Sequence, residues 1–166
     1  MSRATKSTAP ATLAAFALLA VLGLAGCSPS PEKEKPAAAA AIRTEVRSLF
    51  ERYVEALNKS DSTGVVAAYA QDAEVTLCGM GRIYRGRDAI SETAESLLNP
   101  GQNTYGIDSL DVVPIEKAHA LALVVYTIDP SDQDIPAFRT TATYVLEKSS
   151  GKWQIIHAHV SPTAEE

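Results

Sequence analysis

Residues 105–160 read YGIDSLDVVPIEKAHALALVVYTIDPSDQDIPAFRTTATYVLEKSSGKWQIIHAHV, and this stretch decides the fold. It contains four segments rich in Val, Ile, Thr and Tyr that are separated by turn residues, as in strands joined by hairpins. Ser149-Ser150-Gly151-Lys152 is a hairpin signal, and Pro114 predicts a bulge or an edge strand. The predicted strands are residues 105–115, 118–128, 138–147 and 153–160.

Upstream of these strands the hydrophobic spacing changes to that of helices. Apolar residues recur every three or four positions from Ile42 to Lys59, which predicts an amphipathic helix. Asp61 or Ser62 can cap a second helix. Two short strands at 74–78 and 83–84 and a third helix at 89–98 follow.

Helices followed by a run of antiparallel strands predict an α+β domain. We expect a cone-shaped half-barrel in which three N-terminal helices pack on a curved, mostly antiparallel sheet. Residues 42–166 supply one such domain, which is a normal length for a single hydrophobic core.

The N-terminal residues 1–26 have the layout of a signal peptide. Arg3 and Lys6 precede an uncharged apolar run from Ala11 to Leu24, and this run is shorter than the roughly 20 residues of a membrane-spanning helix. Leu24-Ala25-Gly26-Cys27 resembles the lipobox of bacterial lipoproteins. The resemblance implies cleavage before Cys27 and lipidation of its sulfur with acyl chains such as palmitate. The alternative is an ordinary secretory signal that contains a cysteine.

A lipidated Cys27 would hold the protein at the bacterial cell envelope without spanning the membrane. Ser28 is not aspartate, which by the sorting rule of Gram-negative lipoproteins favours the outer membrane, facing the periplasm. Residues 27–41 contain three prolines and an alanine run, and they predict an extended spacer between the membrane and the domain. The last alanines can already belong to the first helix.

Charge and cysteine content exclude several classes of function. Without Arg3 and Lys6, 13 basic and 20 acidic side chains remain, which argues against nucleic acid as a partner. Lipidation of Cys27 leaves only Cys78, so no intramolecular disulfide is expected. Cys78 lies in an apolar stretch and is interpreted as a buried hydrophobic residue. The sequence predicts no cofactor.

Four segments resemble the nuclear transport factor 2-like superfamily and, within it, the SnoaL-like domains. They are FERYVEALNKSD (50–61), VVAAYAQDAEV (65–75), YRGRDAI (84–90) and SGKWQIIHAHVS (150–161). The last segment is also similar to the association domain of calcium/calmodulin-dependent kinase. The superfamily includes ketosteroid isomerases and polyketide cyclases as well as members that only bind ligands or dimerise, so function has to be argued from the site.

The resemblance to the isomerases implies roles for particular residues. It places Tyr53 at the oxyanion tyrosine and Tyr69 at a supporting tyrosine. It also places Leu77 at the general base and Thr143 at the second acid. Leucine cannot accept a proton, so isomerase activity is not expected.

The last strands offer further candidates for a site. Alternation along the strand places His157 and His159 on the face of Trp153 and Ile155. Two histidines lack the further ligands that a metal needs, so no metal site is predicted. Arg139, Thr141 and Thr143 share one strand face, and they can bind an oxygen-rich ligand if that face lines the cone. The acidic loop 129–134 is interpreted as a solvated hairpin tip.

Two functions remain open at this stage. The first is a lipid-anchored, non-catalytic domain that binds a small hydrophobic ligand or a protein partner and forms a homodimer through its outer sheet face. The second is a SnoaL-like isomerase, cyclase or hydrolase that acts on a small hydrophobic or polyketide-like substrate, with His157 or His159 as the general base.

Overall fold

The computed structural model describes residues 31–162 of the chain. The predicted signal peptide and Cys27 lie outside the described residues. Within the described part, no helix has the length and apolar character needed to cross a membrane. The elements are α1 (Pro31–Asn58), α2 (Ser62–Ala67), β1 (Thr76–Gly79), β2 (Arg82–Arg85), α3 (Gly86–Leu97), β3 (Asn103–Glu116), β4 (His119–Pro130), β5 (Phe138–Ser149) and β6 (Lys152–Pro162).

Helix α1 begins at Pro31 rather than at Ile42, so most of the predicted extended spacer is helical. Proline is well suited to the first position of a helix, where its missing N–H is not needed. The alanines that follow Pro36 are the strongest helix formers. The expectation of an extended conformation was therefore wrong for residues 31–36, whereas the last alanines join the first helix as the sequence allows.

The end of α1 leads directly into the start of α2. Ser60 has a positive φ of 50°, and the N–H groups of Ser60 and Asp61 donate to the carbonyls of Leu57 and Ala56, which is a Schellman motif. Asp61 then caps α2 by accepting a hydrogen bond from the Gly64 N–H at 2.9 Å. The predicted cap at Asp61 is confirmed.

The six strands form one curved sheet in the order β2-β1-β6-β5-β4-β3. All neighbours are antiparallel except β1 and β6, which run parallel. Strand β3 lies at one edge, and its register shifts between Pro114 and Glu116, as Pro114 predicts. The α+β class with helices packed on a curved, mostly antiparallel sheet is confirmed.

A bulge in β6 decides which side chains face the helices. Leu146 pairs with Ile155 whereas Val145 pairs with His157, so Ile156 is an extra residue. The bulge reverses the alternation of inner and outer positions along the strand. Ile155 and Ala158 are both fully buried, and His157 and His159 point to the opposite, outer face. The predicted shared face of Trp153, Ile155 and the two histidines was wrong.

The core lies between the inner sheet face and the helices. It contains apolar residues of α1, α2 and α3 packed against alternate residues of the long strands. Apart from tyrosines, Thr140 is the only polar residue among the described ones that is buried. The largest fully buried side chains include Tyr69, Tyr144 and Phe50.

Candidate functional site

Four tyrosines meet in the core between the helices and the inner face of the sheet, and we call them the tyrosine cluster: Tyr53, Tyr69, Tyr126 and Tyr144. The hydroxyls of Tyr53 and Tyr69 are 3.4 Å apart, and those of Tyr126 and Tyr144 are 3.1 Å apart. Every buried side-chain nitrogen or oxygen of the described residues has a hydrogen-bond partner. The cluster therefore satisfies its polar groups internally.

The rings of the cluster are packed edge to face. Tyr53 lies 6.3 Å from Tyr69 and 6.3 Å from Tyr144, measured between ring centroids. Phe50 packs against Tyr144 at 4.8 Å. Such pairs stabilise the core beyond the area that they bury.

Burial keeps all four hydroxyls protonated. It is the main cause that raises the pKa of Tyr53, and hydrogen bonds with Tyr69 and Tyr144 partly oppose it. Burial likewise raises the pKa of Tyr69 and Tyr144 well above the usual value, and it raises that of Tyr126. The cluster consists of hydrogen-bond donors and is unsuited to accept a proton at neutral pH.

The structure brings Tyr53 and Tyr69 together, as the resemblance to the isomerases implies. The other two members of the cluster were missed. Tyr126 and Tyr144 occupy inner positions on neighbouring strands, where Tyr126 pairs with Thr140 and Tyr144 with Ala122. The alternation of side chains along a strand could have identified them, because each tyrosine is separated by an even number of positions from the small or apolar residues that face inward on its strand.

The two positions matched to isomerase carboxylates are not equivalent. Leu77 packs partly buried against the core. Thr143 pairs with Leu123 and His159 on the outer face, so the match to the isomerases selected a residue on the wrong face of β5. The adjacent inner residues are Ala142 and Tyr144, and neither of them is a carboxylic acid.

The remaining candidates lie on the side of the sheet turned away from the helices, which we call the outer face. Thr141 pairs with Val125, Thr143 with Leu123 and Arg139 with Thr127. His157 and His159 pair with Val145 and Thr143. The structure thus separates Arg139, Thr141, Thr143, His157 and His159 from Tyr53 and Tyr69, and the predicted residues form two groups on opposite faces.

The polar side chains of the outer face are held by neighbours. His157 Nδ1 is 2.6 Å from Thr76 Oγ1, and His159 Nε2 is 3.3 Å from Ser161 Oγ. Arg139 Nε donates to Asp108 Oδ2 at 2.9 Å, and the Thr127 hydroxyl bonds the same carboxylate. These contacts orient the side chains within the sheet surface.

Cys78 is half-buried on this outer face opposite His159, rather than in the core as predicted. Strand β1 pairs in parallel with β6 after the bulge, so Cys78 takes the outward orientation of His159. No set of three or more His, Cys, Asp or Glu within residues 31–162 is placed to hold a metal. Residues 131–137 between β4 and β5 are exposed, as expected for a hairpin tip.

A groove of about 400 Å³ lies between α1, α2 and Trp153. Its floor includes Leu49, Ala56 and Trp153, and its rim carries Arg52 and Glu55. The buried ring of Tyr53 also contributes to the groove. Sequence reasoning did not find this groove, because it forms only where α2 turns back against α1.

Residues 46–165 match the family model for the SnoaL-like domain. No curated protein matches the sequence. A solved structure of a proposed calcium/calmodulin-dependent protein kinase II association domain from Xanthomonas campestris is 26% identical, with a TM-score of 0.64 over 74% of this chain and 88% of that one.

Two further solved structures share the fold at lower identity. An NTF2-like protein of unknown function from Pseudomonas putida is 24% identical, with a TM-score of 0.68 over 76% of this chain and 90% of that one. A ketosteroid isomerase-like protein from Erwinia carotovora is 22% identical, with a TM-score of 0.61 over 74% and 96% of the two chains. The chain belongs to the SnoaL-like domain family and has the NTF2-like fold.

Proposed function

We propose that the protein is a non-catalytic binding domain, tethered to a bacterial membrane through lipid on Cys27 and dimeric through its outer face. The observation that carries this proposal is the filled interior. Tyr53 and Tyr69 are enclosed in the tyrosine cluster, so a buried substrate would have to displace packed rings. Binding surfaces are therefore sought on the outside of the domain.

The acid–base reaction of an enzyme needs its groups close together. His157 and His159 are separated from the tyrosine cluster by the sheet itself. No carboxylate is buried among the described residues. This arrangement favours the binding function over the SnoaL-like enzyme, which has no specific geometric support.

The outer face supports the dimer because it combines apolar and polar side chains over the central strands. Leu123 is 40% exposed and Val113 is 43% exposed, and both lie on this face with the half-buried Leu121 between them in the register of β3 and β4. Exposed apolar area of this kind, with histidines and threonines beside it, is typical of protein interfaces.

The test is the mass of the protein in solution. We expect the full chain to sediment as a dimer and Leu123→Asp to sediment as a monomer, because a buried unpaired carboxylate destabilises an interface. Ile135→Asp is the matched control, since Ile135 is 50% exposed at the hairpin between β4 and β5 and lies off the outer face. A monomeric wild-type chain, or an unchanged mass for Leu123→Asp, would exclude this dimer.

A further inference from the structure

The two edge strands of the sheet, β3 and β2, differ in how far other parts of the molecule cover them. At the β3 edge, side chains of α1 bond the strand's backbone. Arg43 Nε donates to the Val112 carbonyl at 3.2 Å, and Asn58 bonds both the N–H and the C=O of Tyr105, at 2.7 and 3.0 Å. Helix α1 thus covers the β3 edge in the way that natural sheets block strand addition.

The β2 edge has no such cover. Met80 and Gly81 form a two-residue turn with φ values of 52° and 70°, and the turn pairs Gly79 with Arg82 and Cys78 with Ile83. In such a hairpin the pair next to the turn exchanges both hydrogen bonds, and the following pair exchanges none. The N–H and C=O of Ile83 therefore point away from β1, and no described residue bonds them.

A groove of about 460 Å³ runs beside this free edge, between β2 and α3. Its apolar lining comes from Met80, Tyr84 and Leu97, and its polar lining consists of Arg82, Glu92, Thr93 and Ser96. Met80 is 63% exposed and Leu97 is 47% exposed. Side chains of an added strand would alternate between this groove and the outer side, where Ile83 is 59% exposed.

The charge at the edge indicates the character of the occupant. Arg82 and Arg85 are exposed, and neither forms an ion pair with another residue of the described part. A second copy that paired antiparallel about Ile83 would place Arg82 opposite Tyr84 and diagonally next to the second copy's Arg82, so two like charges would lie within reach of each other, which destabilises a strand pair. Acidic residues of another protein's added strand would meet Arg82 and Arg85 favourably at the edge, whereas the groove, which Glu92 of α3 also lines, suits the uncharged side chains of that strand.

We propose that the free edge of β2 and the groove between β2 and α3 bind an extended acidic segment of a partner protein as an additional strand. The backbone of Ile83 supplies the ladder hydrogen bonds, the groove takes alternate apolar side chains, and Arg82 and Arg85 select for acidic residues. This inference rests on the proposed binding function and names a partner class for it, but it does not depend on the dimer.

The probe is a capped ten-residue peptide of alternating valine and threonine with an aspartate at each end. Its affinity for the full chain in detergent is measured by fluorescence anisotropy, and amide hydrogen exchange locates the contact. We expect protection of the Ile83 N–H. We expect Ile83→Pro to weaken binding about three- to tenfold through loss of one ladder hydrogen bond, while its pairing with β1 remains, because only the outward N–H is removed.

Ile83→Thr is the matched control for that variant. It keeps the N–H and should bind the peptide more tightly than Ile83→Pro does. Arg82→Glu with Arg85→Glu changes only exposed side chains, and it should weaken binding of the aspartate peptide while strengthening binding of a lysine counterpart. The double arginine variant, tested with both peptides, keeps the experiment decisive if Ile83→Pro unfolds the hairpin.

Several outcomes would overturn the proposal. They are absence of binding at millimolar peptide, equal affinity for the aspartate and lysine peptides, equal affinity of Ile83→Pro and Ile83→Thr, and protection of amides away from β2. Leu123→Asp should bind the peptide like the wild-type chain. A monomeric but peptide-binding wild type would refute the dimer alone, and a dimer without peptide binding would refute this inference alone.

Discussion

At the residue scale, the tyrosine cluster determines what the interior can do. Four of the chain's six tyrosines belong to it, and their hydroxyls pair with one another, Tyr53 with Tyr69 and Tyr126 with Tyr144. A phenol in such surroundings is a donor that stays neutral. The same residue type that suits an oxyanion site here supports a packed core.

The four buried phenols should make stability depend on alkaline pH. Their folded pKa values lie above the unfolded value, so their contribution to stability is complete below the unfolded pKa of about 10 and is lost as the pH rises above it. Phenolate absorbance from the cluster should appear together with loss of the far-UV circular dichroism signal. Ionisation of all six tyrosines with the fold intact would contradict this prediction. In Tyr144→Phe, one phenol fewer should ionise together with the loss of the circular dichroism signal.

At the element scale, the junction of α1 and α2 depends on a glycine inside a helix. A Cβ at Gly64 would lie 2.9 Å from the buried Cβ of Ala56 and would clash with the Asp61 carboxylate that caps α2. Helical propensity alone favours alanine over glycine by about 1 kcal/mol. The close approach of the two helices reverses that preference.

Gly64→Ala is therefore expected to lower the free energy of unfolding by about 1–3 kcal/mol, as overpacking does in tight contacts. Urea denaturation followed by circular dichroism measures the change. Thr63→Ala is the control, since Thr63 is the exposed neighbour on the same helix and its replacement should change stability by about 0.5 kcal/mol or less. A stabilised Gly64→Ala would show that propensity outweighs the contact with Ala56.

At the scale of the whole molecule, the proposed lipid anchor at Cys27 lies close in sequence to the start of α1. Cys27 precedes Pro31, the first residue of α1, by only a few positions, and α1 continues from there into the core. A continuous helix would set the domain at a more defined distance from the membrane than an extended spacer does. Strand β2 lies at the edge of the sheet opposite to β3, the edge that α1 covers.

Expression of the full chain in a bacterial host with labelled palmitate tests the anchor. We expect label in the protein and recovery of the protein with membranes, and we expect Cys27→Ser to lose both, because the acyl chains provide the binding energy. Cys78→Ser is the matched control, as Cys78 is the only other cysteine in the chain. Equal labelling of Cys27→Ser would contradict lipidation at this residue.

The sequence by itself determined the order and type of the elements, the turn at Ser150-Gly151, the Asp61 cap and the meeting of Tyr53 with Tyr69. These features follow from local periodicity, turn chemistry and a family pattern that covers most of the chain. Even the longer α1 has a local origin in Pro31 and the alanine run.

Only the tertiary structure decided which residues share a face. The single extra residue Ile156 moves His157 and His159 to the outer side, and its position depends on pairing between β6, β5 and β1 that no local pattern encodes. The open β2 edge is likewise invisible in the sequence. An edge is defined by what fails to pack beside it, and that depends on the path of the entire chain.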